Sequence, residues 1–97
     1  MSAPHDLPPL PGEIAEAARV VILTRTGCCL CDDAIAIARD ICTERAISLH
    51  LQDVDANPQL RVDWNDHVPV TFVDGVRHAI WALDPQHFRA ALDRAVD

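Results

Sequence analysis

The chain has 97 residues, enough for one domain and too few for a second core. Apolar residues make up 49%, which argues against global disorder, while fifteen acidic against eight basic residues give a formal charge of −7. That field repels a polyanion and no local basic patch offsets it, so nucleic-acid binding is not expected; the longest strongly apolar run, Val20–Leu23, is far too short to cross a bilayer.

Four of the seven prolines (Pro4, Pro8, Pro9, Pro11) fall in the first dozen residues and are followed by Gly12. Proline removes backbone donors and blocks helix, so residues 1–18 are expected to form a Pro-rich, partly disordered extension, with at most a helical turn from Glu13 to Ala18. The start carries no cationic segment followed by an apolar stretch, so a secretory signal is not read there. The expected compartment is therefore the reducing cytoplasm. Four cysteines in such a compartment point to redox, catalytic or metal roles before a structural disulfide framework.

The domain proper is expected over residues 19–97. Arg19 to Thr24 reads as a strand buried on both faces, broken by Thr26-Gly27. A helix follows from about Cys28 to Arg45. At 100° per residue, Cys31, Ala34, Ile35, Ala38, Ile41 and Cys42 share one side, and Asp33, Ala36, Asp40, Thr43 and Glu44 the other. Ser48 to Val54 alternates as a strand, and Asn57-Pro58 opens a short helix ending near Asp66. Val70–Val73 is a third strand, joined to Val76–Leu83 by the hairpin signal Asp74-Gly75. Asp84-Pro85 supplies an N-cap and a first-turn proline for a last helix burying Phe88, Ala91, Leu92 and Ala95. The order is β-α-β-α-β-β-α, an α/β domain with a four-stranded mixed sheet flanked by helices, its βαβ unit parallel and its hairpin antiparallel.

The chemistry concentrates in Thr26-Gly27-Cys28-Cys29-Leu30-Cys31, a Cys-x-x-Cys at the junction of strand and helix. The first amides of a helix lack partners, and they and the helix dipole favour the thiolate, the nucleophilic form. Cys28 is the expected attacking thiol. Cys31, one turn later, can reach the first sulfur and resolve a mixed disulfide. Arg25 adds a cation nearby, while Asp32 and Asp33 oppose negative charge on sulfur. Cys29 projects away from the core face, and Cys42 reads as a small buried hydrophobe. Downstream, His67-Val68-Pro69-Val70 places a proline at a strand start, where a cis peptide beside a dithiol leaves backbone for an extended substrate.

Three segments together, VILTRTGCCLCDDA (Val21–Ala34), VPVTFVDG (Val68–Gly75) and HAIWALDPQHFRAAL (His78–Leu92), resemble the glutaredoxin branch of the thioredoxin-like superfamily, in particular short bacterial glutaredoxin-like proteins. The resemblance implies a thioredoxin-like fold and a thiol–disulfide oxidoreductase acting in cell redox homeostasis. Cys28 would be its nucleophile, Cys31 its resolver and Pro69 its cis proline. Arg25 matches a basic position that helps hold glutathione in that family, and Val68 would offer its backbone to the same ligand. The pattern departs at two places. The Gly-Gly and acidic pair that follow the last strand in glutaredoxins are replaced by Trp81-Ala82-Leu83-Asp84, with Asp84 alone matching, and His67 stands where a threonine is common. Trp81 is read as a packed hairpin tryptophan ahead of a groove residue. The implied chemistry has no tightly bound cofactor and no metal. Its substrates are protein disulfides or mixed disulfides of glutathione or another low-molecular-weight thiol. Electrons come from a thiol or reductase donor, and the protein acts as a monomer away from membranes.

The alternatives use the same cysteines. A copper- or zinc-carrying module also places Cys-x-x-Cys after a first strand, but ends in a strand and has no use for Pro69. An iron–sulfur cluster bridged between two chains through Cys28 and a thiol cofactor is a second, and a non-catalytic interaction module a third. The five histidines are dispersed without helical ligand spacing.

Overall fold

The computed structural model describes residues 10–64 and 67–94. Its elements run α1 (Gly12–Ala15), β1 (Val20–Thr24), α2 (Cys29–Glu44), β2 (Leu49–Asp53), a 3-10 turn (Val54–Ala56), α3 (Pro58–Trp64), β3 (Val70–Val73), β4 (Val76–Ile80) and α4 (Pro85–Arg94). The sheet order is β2-β1-β3-β4. β1 pairs in parallel with β2 and antiparallel with β3, and β3 pairs antiparallel with β4. From β1 onward, the order of strands and main helices along the chain, the parallel βαβ unit and the antiparallel hairpin are those expected from the sequence; the place of β3 beside β1 comes from the structure.

β1 is central, and the alternation of its side chains builds two cores. Val20 and Ile22 point to the layer of α2 and α4, with Ala34, Ala38, Ile41, Cys42, Phe88 and Leu92. Val21 and Leu23 point to the opposite layer, with Val54, Leu60, Trp64, Val70 and Phe72. All four side chains are at most 1% exposed; burying each contributes about 1.5–3 kcal/mol. The buried stripe of α2 is Cys31, Ala34, Ala38, Ile41 and Cys42, the expected face less Ile35, which is half-buried.

The described part of the amino-terminal extension packs on the domain. Leu10 and Ile14 are 7% and 6% exposed and complete the core on the α3 side. A short α1, closed by Ile14 and Ala15 N–H bonds to the Pro11 carbonyl, carries Ile14 there. Four residues are too few for a periodic signal. Pro4, Pro8 and Pro9, Asp66 and Ala95 lie outside the described residues.

The hairpin has Asp74 and Gly75 at φ 51° and 82°, the doubly left-handed backbone of a type I′ turn. The Arg19 guanidinium grips Asp74 through Nε and Nη2 at 3.0 and 3.1 Å, and its Nη2 also donates to the Leu92 carbonyl. One side chain thus joins the start of β1, the hairpin and the end of α4. Arg45–Asp93 and Arg89–Glu44 pair α2 with α4. β4 ends at Ile80, three residues short of the expected Leu83, because Trp81 turns to a left-handed φ of 67°.

α2 ends in a Schellman motif: Ile47 N–H bonds to the Cys42 carbonyl at 2.8 Å and Ala46 N–H to Thr43 at 3.3 Å. The residue in the left-handed position is Ala46, at φ 56° and exposed. Glycine takes that conformation without the Cβ penalty. Ala46→Gly is therefore expected to stabilise the protein by about 0.5–1 kcal/mol, raising Tm by about 2–8 °C in a thermal melt.

Candidate active site

β1 runs out of the core at Thr24, and the chain reverses into α2 through Arg25-Thr26-Gly27-Cys28. Cys28 N–H bonds to the Arg25 carbonyl at 3.3 Å, and Gly27 occupies the third position at φ 82°, as a type II turn requires. Cys28 is then the N-cap of α2, with extended backbone. Its sulfur accepts a hydrogen bond from the Cys31 amide at 3.4 Å, and its carbonyl accepts the first helical bond, from Asp32. One of the amides of the helix start, that of Cys31, is thus aimed at the Cys28 sulfur.

The cysteines differ sharply in surroundings. Cys28 is half-buried, Cys29 exposed, and Cys31 and Cys42 are 1% and 2% exposed. Burial, and secondly the hydrogen bond with Cys28, push the Cys31 thiol up to about 11; the charges of Cys28 and Asp32 act in the same direction, against a hydrogen bond with the Arg25 main chain. Cys42 is also raised, by burial. The pair therefore comprises one accessible sulfur over a helix N-terminus and one sheltered thiol a turn behind it.

Val68-Pro69 is a cis peptide. The antiparallel pairing of Leu23 with Val70 places Pro69, one step further, beside Thr24 at the end of β1 that leads to Cys28. Val68 stands just outside the β3 ladder, whose first pairs are made by Val70. The Pro69 carbonyl accepts the Trp81 N–H at 2.7 Å, which brings the end of β4 to the same edge.

Arg25 is engaged by Asp55, Nε and Nη2 donating at 3.1 and 3.0 Å, and Arg61 lies 3.7 Å from the same carboxylate. The Arg25 hydrogen bond holds the Asp55 carboxyl below its usual range. Asp84 caps α4, accepting the Gln86 N–H at 2.9 Å, with the His87 ring 3.9 Å away. The structure therefore gathers Cys28, Cys31, Val68 and Pro69 at one end of the sheet. It ties Arg25 and Asp84 into local pairs there.

Two residues at which the sequence departs from the glutaredoxin pattern, His67 and Trp81, meet at this edge. The His67 ring stacks on Trp81, with centroids 6.4 Å apart and planes at 9°, and meets Trp64 edge-on at 6.1 Å. Trp64 in turn meets Phe72 edge-on. His67 Nδ1 is buried without a hydrogen-bond partner. Trp81 is 51% exposed and is not the packed tryptophan expected. Its left-handed backbone costs a non-glycine residue roughly 1–3 kcal/mol. The two residues are fourteen positions apart in the chain, so no local pattern announces the stack; the missing Gly-Gly was the one available signal.

A groove of about 360 Å³ opens beside the dithiol, lined by Leu30, Asp33 and Ile37 of α2 and by Ala82 and Leu83. A larger cavity of about 460 Å³, lined by Val73, Asp74, Arg77 and Arg94 among others, sits at the hairpin end. Val73 pairs with Val20, at the end of β1 away from Cys28; neither cavity is lined by a cysteine, and the smaller groove, with Leu30 from between the paired cysteines in its wall, is the nearer to them along the chain. Among the described residues, no three His, Cys, Asp or Glu side chains converge as a metal site, and a closed four-ligand zinc site is not assembled. No helix among them is long and apolar enough to cross a membrane.

Comparison with known proteins identifies the fold and the family. The holo form of glutaredoxin C1 from Populus tremula x tremuloides has the same fold, with a TM-score of 0.52 at 20% identity over 84% of this chain and 81% of that one. The solution structure of protein Ne2328 from Nitrosomonas europaea is closer, with a TM-score of 0.65 and 32% identity over 79% and 93% of the two chains. An uncharacterized protein of Mycobacterium tuberculosis is 32% identical over 82 residues, 79% of this chain and 84% of its own. The glutaredoxin-like domain (DUF836) matches residues 19–93, from the start of β1 through nearly all of α4. The chain is a member of that glutaredoxin-like family, with a thioredoxin-like fold.

Proposed function

We propose that the protein is a thiol–disulfide oxidoreductase that reduces protein or low-molecular-weight-thiol mixed disulfides through Cys28 and Cys31. The observation that carries this reading is the pairing of an accessible Cys28 sulfur, on the helix N-terminus, with a buried Cys31 thiol one turn behind it.

Cys28 thiolate attacks one sulfur of the substrate disulfide, and the other sulfur leaves as a thiolate that takes a proton. The Cys28 mixed disulfide is then attacked by Cys31, which loses its proton. Substrate leaves as a thiol, and Cys28–Cys31 carries the two-electron oxidation. A thiol or reductase donor supplies two electrons and two protons to restore the dithiol. Burial of Cys31 enforces this order: with the thiol near 11, about one molecule in ten thousand is thiolate there at pH 7. Once Cys28 is bonded to substrate, its negative charge and its hydrogen bond no longer hold the Cys31 proton, so resolution becomes easier at the step that needs it. Val68, outside the ladder beside cis Pro69, offers main chain to an extended substrate.

Cys28→Ser should lose at least about a thousandfold in reduction of a small neutral disulfide such as bis(2-hydroxyethyl) disulfide, because the nucleophile is gone. Cys31→Ser should accumulate a mixed disulfide visible by mass spectrometry, or leave a slower single-thiol route. Equal turnover by Cys28→Ser and wild type overturns the assignment. In a redox titration the Cys28–Cys31 bond should form reversibly, within roughly −270 to −120 mV.

The raised Cys31 pKa also carries a stability signature. The folded state favours the protonated thiol, so its contribution is complete below the unfolded value and disappears as pH rises towards about 11. Denaturant unfolding of the fully reduced protein should show a constant midpoint from pH 7 to about 8.5 and a fall above it. Cys42, shifted the same way, adds to the fall. Cys42→Ala should leave a residual slope that belongs to Cys31.

A further inference from the structure

The groove that begins at Leu30, two residues after Cys28, is mostly apolar in its walls and carries Asp33 among them. Leu30, between the paired cysteines, is 48% exposed, and Trp81 is 51% exposed immediately before Ala82 and Leu83, which line the groove. Trp81 is held there by three constraints: a left-handed φ, its N–H bond to the Pro69 carbonyl, and the stack on His67. His67 is in turn braced by the buried Trp64. An indole presented half-exposed on such a rigid support is a contact surface, since ordering it on binding costs little further entropy.

The charged side chains that line the groove, or directly adjoin its lining residues in the chain, are acidic. Asp33 lines the groove, the Asp32 carboxylate is near enough to raise the Cys31 thiol, and Asp84 follows Leu83. The cation available at the end of β1, Arg25, already holds Asp55 in a two-pronged pair. Arg61 of α3 lies 3.7 Å from the same carboxylate and shares it with Arg25; among the described residues the His87 ring beside Asp84 is a further basic group near the groove. Glutathione brings two carboxylates against one ammonium and would meet this field unfavourably. A segment bearing arginine or lysine would meet it favourably.

Building on the thiol–disulfide reading above, we propose that the groove takes an extended segment of a protein disulfide in which apolar and basic residues flank the cysteine, with Trp81 and Leu30 as its apolar contact and Asp32 and Asp33 as its charge partners. The same side chains select against glutathione disulfide. Electron and proton balance is that of the exchange already described.

The test compares kcat/KM of the full chain on four disulfides. Two are peptides with cysteine disulfide-bonded to 2-mercaptoethanol, one flanked by leucine and arginine and the other by serine and glutamate. The others are glutathione disulfide and neutral bis(2-hydroxyethyl) disulfide. The Leu/Arg peptide should exceed both the Ser/Glu peptide and glutathione disulfide by about tenfold or more. Its advantage should shrink as salt is raised to about 0.5 M. Trp81→Gly, which relieves the left-handed backbone and so does not endanger folding, should lower the ratio of the Leu/Arg peptide to the neutral disulfide by about tenfold. Trp81→Phe should recover most of it. Asp33→Asn should cut the preference for the cationic peptide a few-fold and flatten its salt dependence.

Glutathione disulfide turned over as fast as the Leu/Arg peptide overturns the proposal, as does an unchanged ratio in Trp81→Gly. Either result leaves the oxidoreductase reading standing. Failure of wild type to reduce the neutral disulfide removes both.

Discussion

The molecule is organised by one requirement, that the side chains of Val20–Leu23 be dry on both faces of the sheet. A strand flanked by β2 and β3 and covered by two layers cannot turn within the core. It must run to the sheet's end before reversing, and that places the Gly27 turn and Cys28 at the rim. α2 then has to return across the face it covers, which sinks its Cys31–Ala34–Ala38–Ile41 stripe and leaves its first turn at the surface. The contrast between an accessible and a sheltered sulfur is therefore a by-product of packing. The backbone trajectory that buries the hydrophobic stripe is the one that exposes the helix N-terminus.

The site's electrostatics follow from a second, weaker pattern. The acidic excess of the chain is expressed at the rim through Asp32, Asp33 and Asp84, while several arginines are spent on fastening elements: Arg19 on Asp74 and Leu92, Arg25 on Asp55, Arg45 on Asp93. Exposed pairs of this kind contribute only about 0–1 kcal/mol each. Their larger effect is on where positive charge is not available. Tying Arg25 to Asp55 changes the charge of the rim near Cys28 more than it changes stability.

Much of the architecture was legible in the residues because its signals are local. Four consecutive apolar residues marked β1, 3.6-residue spacing marked the buried face of α2, Asp74-Gly75 marked a type I′ hairpin, and Asp84-Pro85 marked the start of α4. The position of Cys28 at the head of a helix was legible for the same reason: strand, Gly27 and amphipathic run lie side by side in the chain. What escaped was tertiary or unconventional. Ala46 sits where glycine would have announced a C-cap. Trp81 breaks β4 with a backbone conformation that nothing in an aromatic residue advertises. The stack of His67 on Trp81 and the grip of Arg25 on Asp55 join residues distant in the chain, with no periodicity to betray them. Leu10 and Ile14 were hidden among prolines that ordinarily mean an unpacked tail.

Those last two residues bear on how the family is delimited. The family match begins at residue 19, yet one of the two cores is finished by side chains contributed before it. Leu10 and Ile14 share a cluster with Val21, Leu23 and Trp64, so a fragment trimmed to the family boundary would leave part of that cluster facing water. Its tendency would be to self-associate through the uncovered patch. Trp64 supports His67, and His67 supports Trp81, so loosening that core would also be felt in the ring stack beside the dithiol. The segment before β1 thus acts as a gasket, sealing a layer whose rigidity reaches the sulfur site without touching it.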